Sequence, residues 1–200
     1  MAKDFFINRI PHNGFNYKEY AEIFEKYVTE TDINSLSESD KEHFTYSKLN
    51  LQRSQRIDKT YSPSAEIKEA MNAIKKPQLW MLITETWCGD SAQNLPYIAH
   101  IAGLNELVNF RIILRDKHPE IMEHYLTNGT KSIPILVAFD EDGNELFKWG
   151  PRPKEAVELV QKAKAEGLGK DKFIEQLHLW YGRNRGKAIE KEILELATGV

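Results

Sequence analysis

Apolar and polar residues alternate with different periods in three successive stretches of the chain. In the first, apolar residues recur at helical spacing: Tyr17, Tyr20, Ala21, Phe24, Tyr27 and Val28 share one face, and Asn16 is suited to cap the helix start. "SLSESDKEHF" reads as a loop feeding a second helix that carries Phe44, Leu49, Leu51 and Ile57. "YSPSAEIKEAMNAIKK" predicts a third helix, opening with Ser62 as cap and Pro63 at its first position and ending before Pro77. In the middle stretch the period changes. "QLWMLIT" is a nearly continuous apolar run, as expected of a strand covered on both faces. A helix follows Cys88 through Leu95, Ile98, Ala99 and Ala102 and closes near Gly103. "VNFRIILRD" predicts a second strand, "PEIMEHYLTNG" a helix stopped by Asn128-Gly129, and "IPILVAF" a third strand. Asp142-Gly143 turns the chain into a fourth strand, "NELFKWG", before a helix marked by Ala156, Val157, Val160 and Ala163. Beyond Gly167 and Gly169, two further helical faces are predicted. Phe173, Leu177, Trp180 and Tyr181 form one, and Ile189, Ile193, Leu196 and Ala197 the other, with Gly182 and Gly186 breaking the region in two.

The resulting order over residues 77–166 is β-α-β-α-β-β-α. Such alternation requires an α/β fold, here a central four-stranded mixed sheet with helices on both faces. Residues 1–76 then form an N-terminal helical extension and residues 167–200 a C-terminal one.

Composition narrows the function classes. The 200 residues are 41% hydrophobic and 28% charged, as in ordinary globular proteins. No apolar run approaches the length of a membrane span, and "MAKDFFINRI" lacks the features of a secretory signal, so no membrane association and a cytoplasmic location are expected. The net charge is −3, and the one locally basic cluster, Arg183, Arg185 and Lys187, is followed closely by acidic residues. Nucleic acid is therefore not an expected partner. The six histidines are scattered, and His118 and His124 are spaced wrongly for two ligands on one helix face, so no metal site is expected. The single cysteine cannot close an intramolecular disulfide.

That cysteine stands in "TWCGDSAQ". The element order, with Trp87-Cys88-Gly89 ending the first strand, resembles the thioredoxin family. Three further landmarks carry the resemblance: Pro96 inside the following helix, Ile133-Pro134 at the start of the third strand, where the family has its cis-proline loop, and Gly150 after the hairpin. The departures are equally specific. Ser91 stands where the family has its second cysteine, Asp90 where it usually has proline, and Leu82 where it has a buried acid.

Without a resolving thiol, one chain cannot reduce a disulfide by itself, because Ser91 cannot displace the mixed disulfide that Cys88 would form. The first step survives. The resemblance implies that Cys88 sits at a helix N-terminus with Ser91 beside it, both favouring a thiolate, while the Asp90 carboxylate opposes one. At an exposed loop this balance predicts a modestly activated thiol; the alternative is an inert, vestigial cysteine. The resemblance further assigns Cys88 and Ser91 as catalytic residues, and Trp87, Gly89, Asp90, Ile133 and Pro134 to substrate binding. Cys-Gly-x-Ser is also the pattern of monothiol glutaredoxins, in which an external small thiol such as glutathione resolves the mixed disulfide or helps hold an iron–sulfur cluster between two subunits; a protein thiol or small thiol is the expected partner or co-substrate, and no cofactor is expected. Two functions stay open: single-thiol redox chemistry resolved by an external thiol, and a non-catalytic thioredoxin-like binding or adaptor module. Arg53, Arg56 and Lys59 form a basic face on the second helix.

Overall fold

The computed structural model describes residues 2–199. A short helix, α1 (Asp4–Ile7), leads into α2 (Tyr17–Glu30), where Asn16 and Glu19 form a reciprocal capping box. Ser37 caps α3 (Glu38–Thr60), and α4 (Ala65–Ala73) follows. Its cap is Ser64, not Ser62: the Ser64 hydroxyl accepts the Ile67 N–H while the Ser64 N–H donates to Glu190 near the C-terminus.

The sheet contains β1 (Gln78–Thr84), β2 (Val108–Leu114), β3 (Ile135–Phe139) and β4 (Glu145–Trp149) in the order β2-β1-β3-β4. β1 and β2 are parallel and the other pairs antiparallel, so the sheet is mixed. Between these strands lie α5 (Gly89–Ala102) and the short α6 (Pro119–Met122), whose helix tightens into a 3₁₀ turn at Glu123–Tyr125 instead of running to Asn128-Gly129. After β4 come α7 (Lys154–Ala165), α8 (Lys170–Asn184) and α9 (Lys187–Thr198). α8 runs straight through Gly182, and the break falls at Arg185-Gly186, both in left-handed conformation.

Strand periodicity sends alternate side chains to two cores. Trp80 and Leu82 of β1 and Leu136 and Ala138 of β3 face a core completed by α2, α3, α4, α5 and α9, including Phe24, Ile57, Met71, Ile98, Ile189 and Ile193. Leu79, Met81, Ile83, Ile135, Val137 and Phe139 face the opposite core, closed by Phe5, Phe6, Ile121 and Tyr125, and Cys88 belongs to this second cluster. Leu82 is fully buried in the first core. Phe15 pairs with Ile112 in both directions, 2.9 and 2.8 Å, and covers the outer edge of β2. No helix among the described residues is long and apolar enough to cross a membrane.

Candidate functional site around Cys88

The parallel β1 ends at Thr84, and the chain turns through Glu85 to Trp87 before α5 begins. α3 holds this turn from above. Asn50 Nδ2 donates to Thr86 O at 3.0 Å, the Ser47 and Thr86 hydroxyls meet at 3.1 Å, and Arg53 Nη1 donates to Asn50 Oδ1 at 2.9 Å. Ser47 and Asn50 are fully buried. On the other side, the buried Glu85 carboxylate accepts the Asp116 N–H at 2.8 Å and ties the turn to the end of β2.

Cys88 is the N-cap of α5. Its Sγ accepts the Ser91 N–H at 3.4 Å and donates to Ile133 O at 3.3 Å, immediately before the cis Ile133–Pro134 bond. Gly150 adopts φ 123°, and a Cβ there would lie 2.3 Å from Pro134 O, so the loop after β4 presses directly on this bend. The motif and the proline loop are thus brought together.

The thiol differs from the expected one. Cys88 is only 8% exposed, and its pKa is pushed up to about 11, first by burial and then by the Asp90 charge. Hydrogen bonding from Ser91 works in the opposite direction. Among the described residues the buried Ser91 hydroxyl has no partner around the resting thiol, and donating to a thiolate would satisfy it. The exposed, modestly activated thiol expected from the sequence is therefore corrected: packing around α5 removes the water that would have solvated a thiolate.

Asp90 is also not the exposed loop residue that the sequence suggested. It is buried. Its Oδ2 pairs with Arg152 Nη2 at 2.6 Å and its Oδ1 accepts the Tyr181 hydroxyl at 2.8 Å. Asn94 Nδ2 joins them by donating to Tyr181 Oη at 3.0 Å and to Asp90 O at 2.8 Å. Burial alone would lower the Arg152 pKa, but the Asp90 charge and hydrogen bond more than offset it and hold the guanidinium charged. α8 thereby reaches the motif through Tyr181. It also seats His178 against Gly89, where a Cβ would meet the imidazole at 3.1 Å. Burial, then Arg53 and Arg152, push the His178 pKa down to about 4, so the ring is neutral near pH 7.

Trp87 is flanked by the His43 ring, stacked at 4.7 Å, and the Arg115 guanidinium, also 4.7 Å from the ring centroid. Both groups pack against the indole, which is therefore already engaged by a ring and a cation in this state. A cleft of about 510 Å³ opens beside Cys88, with Trp87, Ile133, Pro151, Phe173 and Leu177 among its walls. Arg53, Arg115, Lys131, Arg152 and Lys170 also line it, against Glu42 and Asp90. Arg115 and Lys131 are paired with Asp116 and Glu123, and among the described residues Arg53 and Lys170 have no carboxylate within 4 Å. Arg56 lies in a different cavity, so the basic face expected on α3 is divided between two sites. Among the described residues no group of histidine, cysteine, aspartate or glutamate side chains is arranged to hold a metal ion.

Sequence reasoning missed Arg152, Tyr181, His178 and Asn50. Arg152 offered one signal, its place directly after Gly150-Pro151. The others sit on helices whose approach to the motif no local spacing announces.

Comparison with known proteins agrees with this architecture. A search of curated proteins finds no match. A crystal structure of a protein of unknown function from Pseudomonas aeruginosa is similar with a TM-score of 0.56 and 17% identity, over 92% of this chain and 98% of that one. A crystal structure of an HIV epitope-scaffold is similar with a TM-score of 0.57 and 18% identity, over 93% of this chain and 99% of that one. At these identities the likeness concerns the fold, and it extends through the flanking helices. The family described as thioredoxin matches residues 37–164, from the cap of α3 to the end of α7. The chain belongs to the thioredoxin family.

Proposed function

We propose that this chain is a thioredoxin-like binding module, in which the cleft beside Cys88 takes an extended segment of a protein partner and the thiol is held in reserve. The observation that carries this reading is the burial of the thiol, which is 8% exposed; that burial pushes its pKa up to about 11. At pH 7 such a group is thiolate in roughly one molecule in 10⁴, against a few per cent for an ordinary cysteine. Its higher intrinsic nucleophilicity recovers only about tenfold of that loss, leaving attack on a disulfide some 20–30-fold slower before access is considered.

Binding needs no thiolate. The N–H groups of Ser132 and Ile133 make no hydrogen bond among the described residues, and they border the cleft as a short edge to which an extended chain can add. In this reading residues 77–166 are the thioredoxin-like domain, and the helices of 1–76 and 167–200 shape the mouth of its cleft. Peptides selected from a random library for binding to the whole protein test it. Cys88→Ser should keep their affinity within about threefold, whereas Ser132→Pro, which removes one edge N–H, should weaken it by about tenfold or more. Loss of binding in Cys88→Ser would reject the module reading in favour of sulfur chemistry.

One observation supports a second reading, single-thiol exchange. Cys88 borders the cleft at a helix N-terminus, its Sγ accepts the Ser91 N–H, and the Ser91 hydroxyl, without a partner among the described residues, is able to stabilise a thiolate once formed. Cys88 would attack a disulfide, release one thiolate, and be freed by an external thiol such as glutathione. Incubation with oxidised glutathione and intact-mass measurement separates the readings. A glutathione-sized gain on Cys88 within minutes near pH 7 would favour exchange, and an unchanged mass favours the module.

A further inference from the structure

A second cavity, of about 560 Å³, opens between the end of α3, the start of α4 and the α8–α9 junction. Arg56, Arg185 and Lys187 line it, and among the described residues none of the three has a carboxylate within 4 Å. Among the described residues Glu190 is the one acid in the wall, and it is already engaged: its carboxylate accepts the Tyr61 hydroxyl and the Ser64 N–H. Positive charge is therefore in excess here, on a chain whose net charge is −3.

The remaining wall is suited to an organic anion. Tyr97 is 8% exposed and its hydroxyl makes no hydrogen bond among the described residues; burial raises its pKa, and the nearby Arg56 and Arg185 charges oppose that rise. Tyr61 and Tyr97 meet edge to face at 4.7 Å and supply an aromatic surface. The first turn of α9 borders the same space through Gly186 and Lys187, adding the field of a helix N-terminus.

Gly182 gives an independent indication. It sits inside α8 with an ordinary helical backbone, where glycine weakens a helix, and a Cβ there would meet nothing within 4 Å. Neither backbone conformation nor crowding requires glycine at this position. Its effect is to keep side-chain atoms out of the cavity it lines.

We propose that this cavity binds a small, multiply charged organic anion, a phosphorylated or polycarboxylate metabolite. Guanidinium forks pair bidentately with either group, and the volume falls within the range of small-molecule sites. The inference does not depend on the Cys88 cleft or on the function proposed for it.

The test is titration calorimetry of the whole protein in about 0.15 M salt with pyrophosphate, AMP and citrate, the first two reporting phosphate and the third carboxylate recognition. At least one should bind at one site per chain with Kd below about 1 mM. Arg56→Gln and Arg185→Gln should each weaken it by about tenfold or more, and Lys48→Gln, on an exposed lysine elsewhere on α3, should leave it within about twofold. Gly182→Leu, whose Cβ would meet nothing within 4 Å and which strengthens the helix, should abolish binding while raising or preserving thermal stability. Absence of saturation by all three anions up to about 10 mM would overturn the proposal, as would binding indifferent to Arg56, Arg185 and Gly182.

Discussion

Asp90→Asn separates two effects that the site combines in one carboxylate. The change keeps the shape and an oxygen that can still accept the Tyr181 hydroxyl, but it removes the charge that faces Arg152 at 2.6 Å and lies near Cys88. Two unit charges about 4 Å apart at an effective dielectric near 20 attract by about 4 kcal/mol. The Arg152 side chain is 28% exposed, so water recovers part of this when the partner is lost. The retained Tyr181 hydrogen bond limits the damage further, and the expected loss of stability is about 2 kcal/mol, or a fall in Tm of roughly 4–8 °C for a chain of this size. The thiol should respond in the opposite sense. Without the adjacent charge its pKa falls, though burial, the larger cause, keeps it above the ordinary value. Arg152→Gln should also destabilise the fold, but it should raise the thiol pKa, because it removes the cation that favours a thiolate. Urea unfolding with alkylation of Cys88 against pH measures both quantities in each variant. If Asp90→Asn costs under about 0.5 kcal/mol, or if the two variants move the thiol in the same direction, the assignment of Asp90 as a charge shared between Arg152 and Cys88 is wrong.

His178 should make stability depend on acid pH. Its folded pKa, about 4, lies below the unfolded 6.5, so its contribution is complete above pH 6.5 and is lost as pH falls towards 4; urea unfolding should show that decline, and His178→Gln should flatten it. Cys88 acts at the other end. Its folded pKa is above the unfolded 9.0, so stability should fall between pH 9 and about 11, and Cys88→Ala should remove that slope. Asn50→Ala should cost about 1–3 kcal/mol in urea unfolding, because it leaves the Thr86 carbonyl and the Arg53 guanidinium without their partner; a cost near zero would mean that α3 does not hold the turn. Gly150→Ala should be more severe, about 3 kcal/mol or more, since its Cβ would lie 2.3 Å from Pro134 O at φ 123°, and a thermal melt within 2 °C of the parent would contradict that contact.

The strands were legible because their chemistry is local. "QLWMLIT" and "IPILVAF" are apolar on both faces, and both faces of the sheet are covered. Asn16 could be read as a cap for the same reason, since its partner Glu19 is three residues away. Local signals can mislead by two residues: Ser62-Pro63 reads as the start of α4, but Ser64 is the cap, its hydroxyl accepting the Ile67 N–H and its own N–H donating to the distant Glu190. Gly182 looked like a break, yet a single glycine only weakens a helix, and α8 is anchored in the preceding turns by the buried Leu177 and Tyr181. The site divides along the same line. Its sulfur, its proline loop and Gly150 could be found from short motifs. The burial of Cys88 could not, because Cys88 sits in a cluster with Tyr125, Ile133 and Ile135, far away in the chain, and the polar Ser91, Gln93 and Asn94 of α5 are buried as well. Nor could the Asp90–Arg152–Tyr181 contact, which joins residues far apart in the chain.

The central claim is that Cys88 rests as a covered, protonated thiol. The rate of its reaction with iodoacetamide, followed by intact mass from neutral to strongly alkaline pH, tests this directly. The account predicts slow modification with a half-rise near pH 11. Rapid labelling with a half-rise below about pH 8 would contradict it and mark Cys88 as an activated nucleophile.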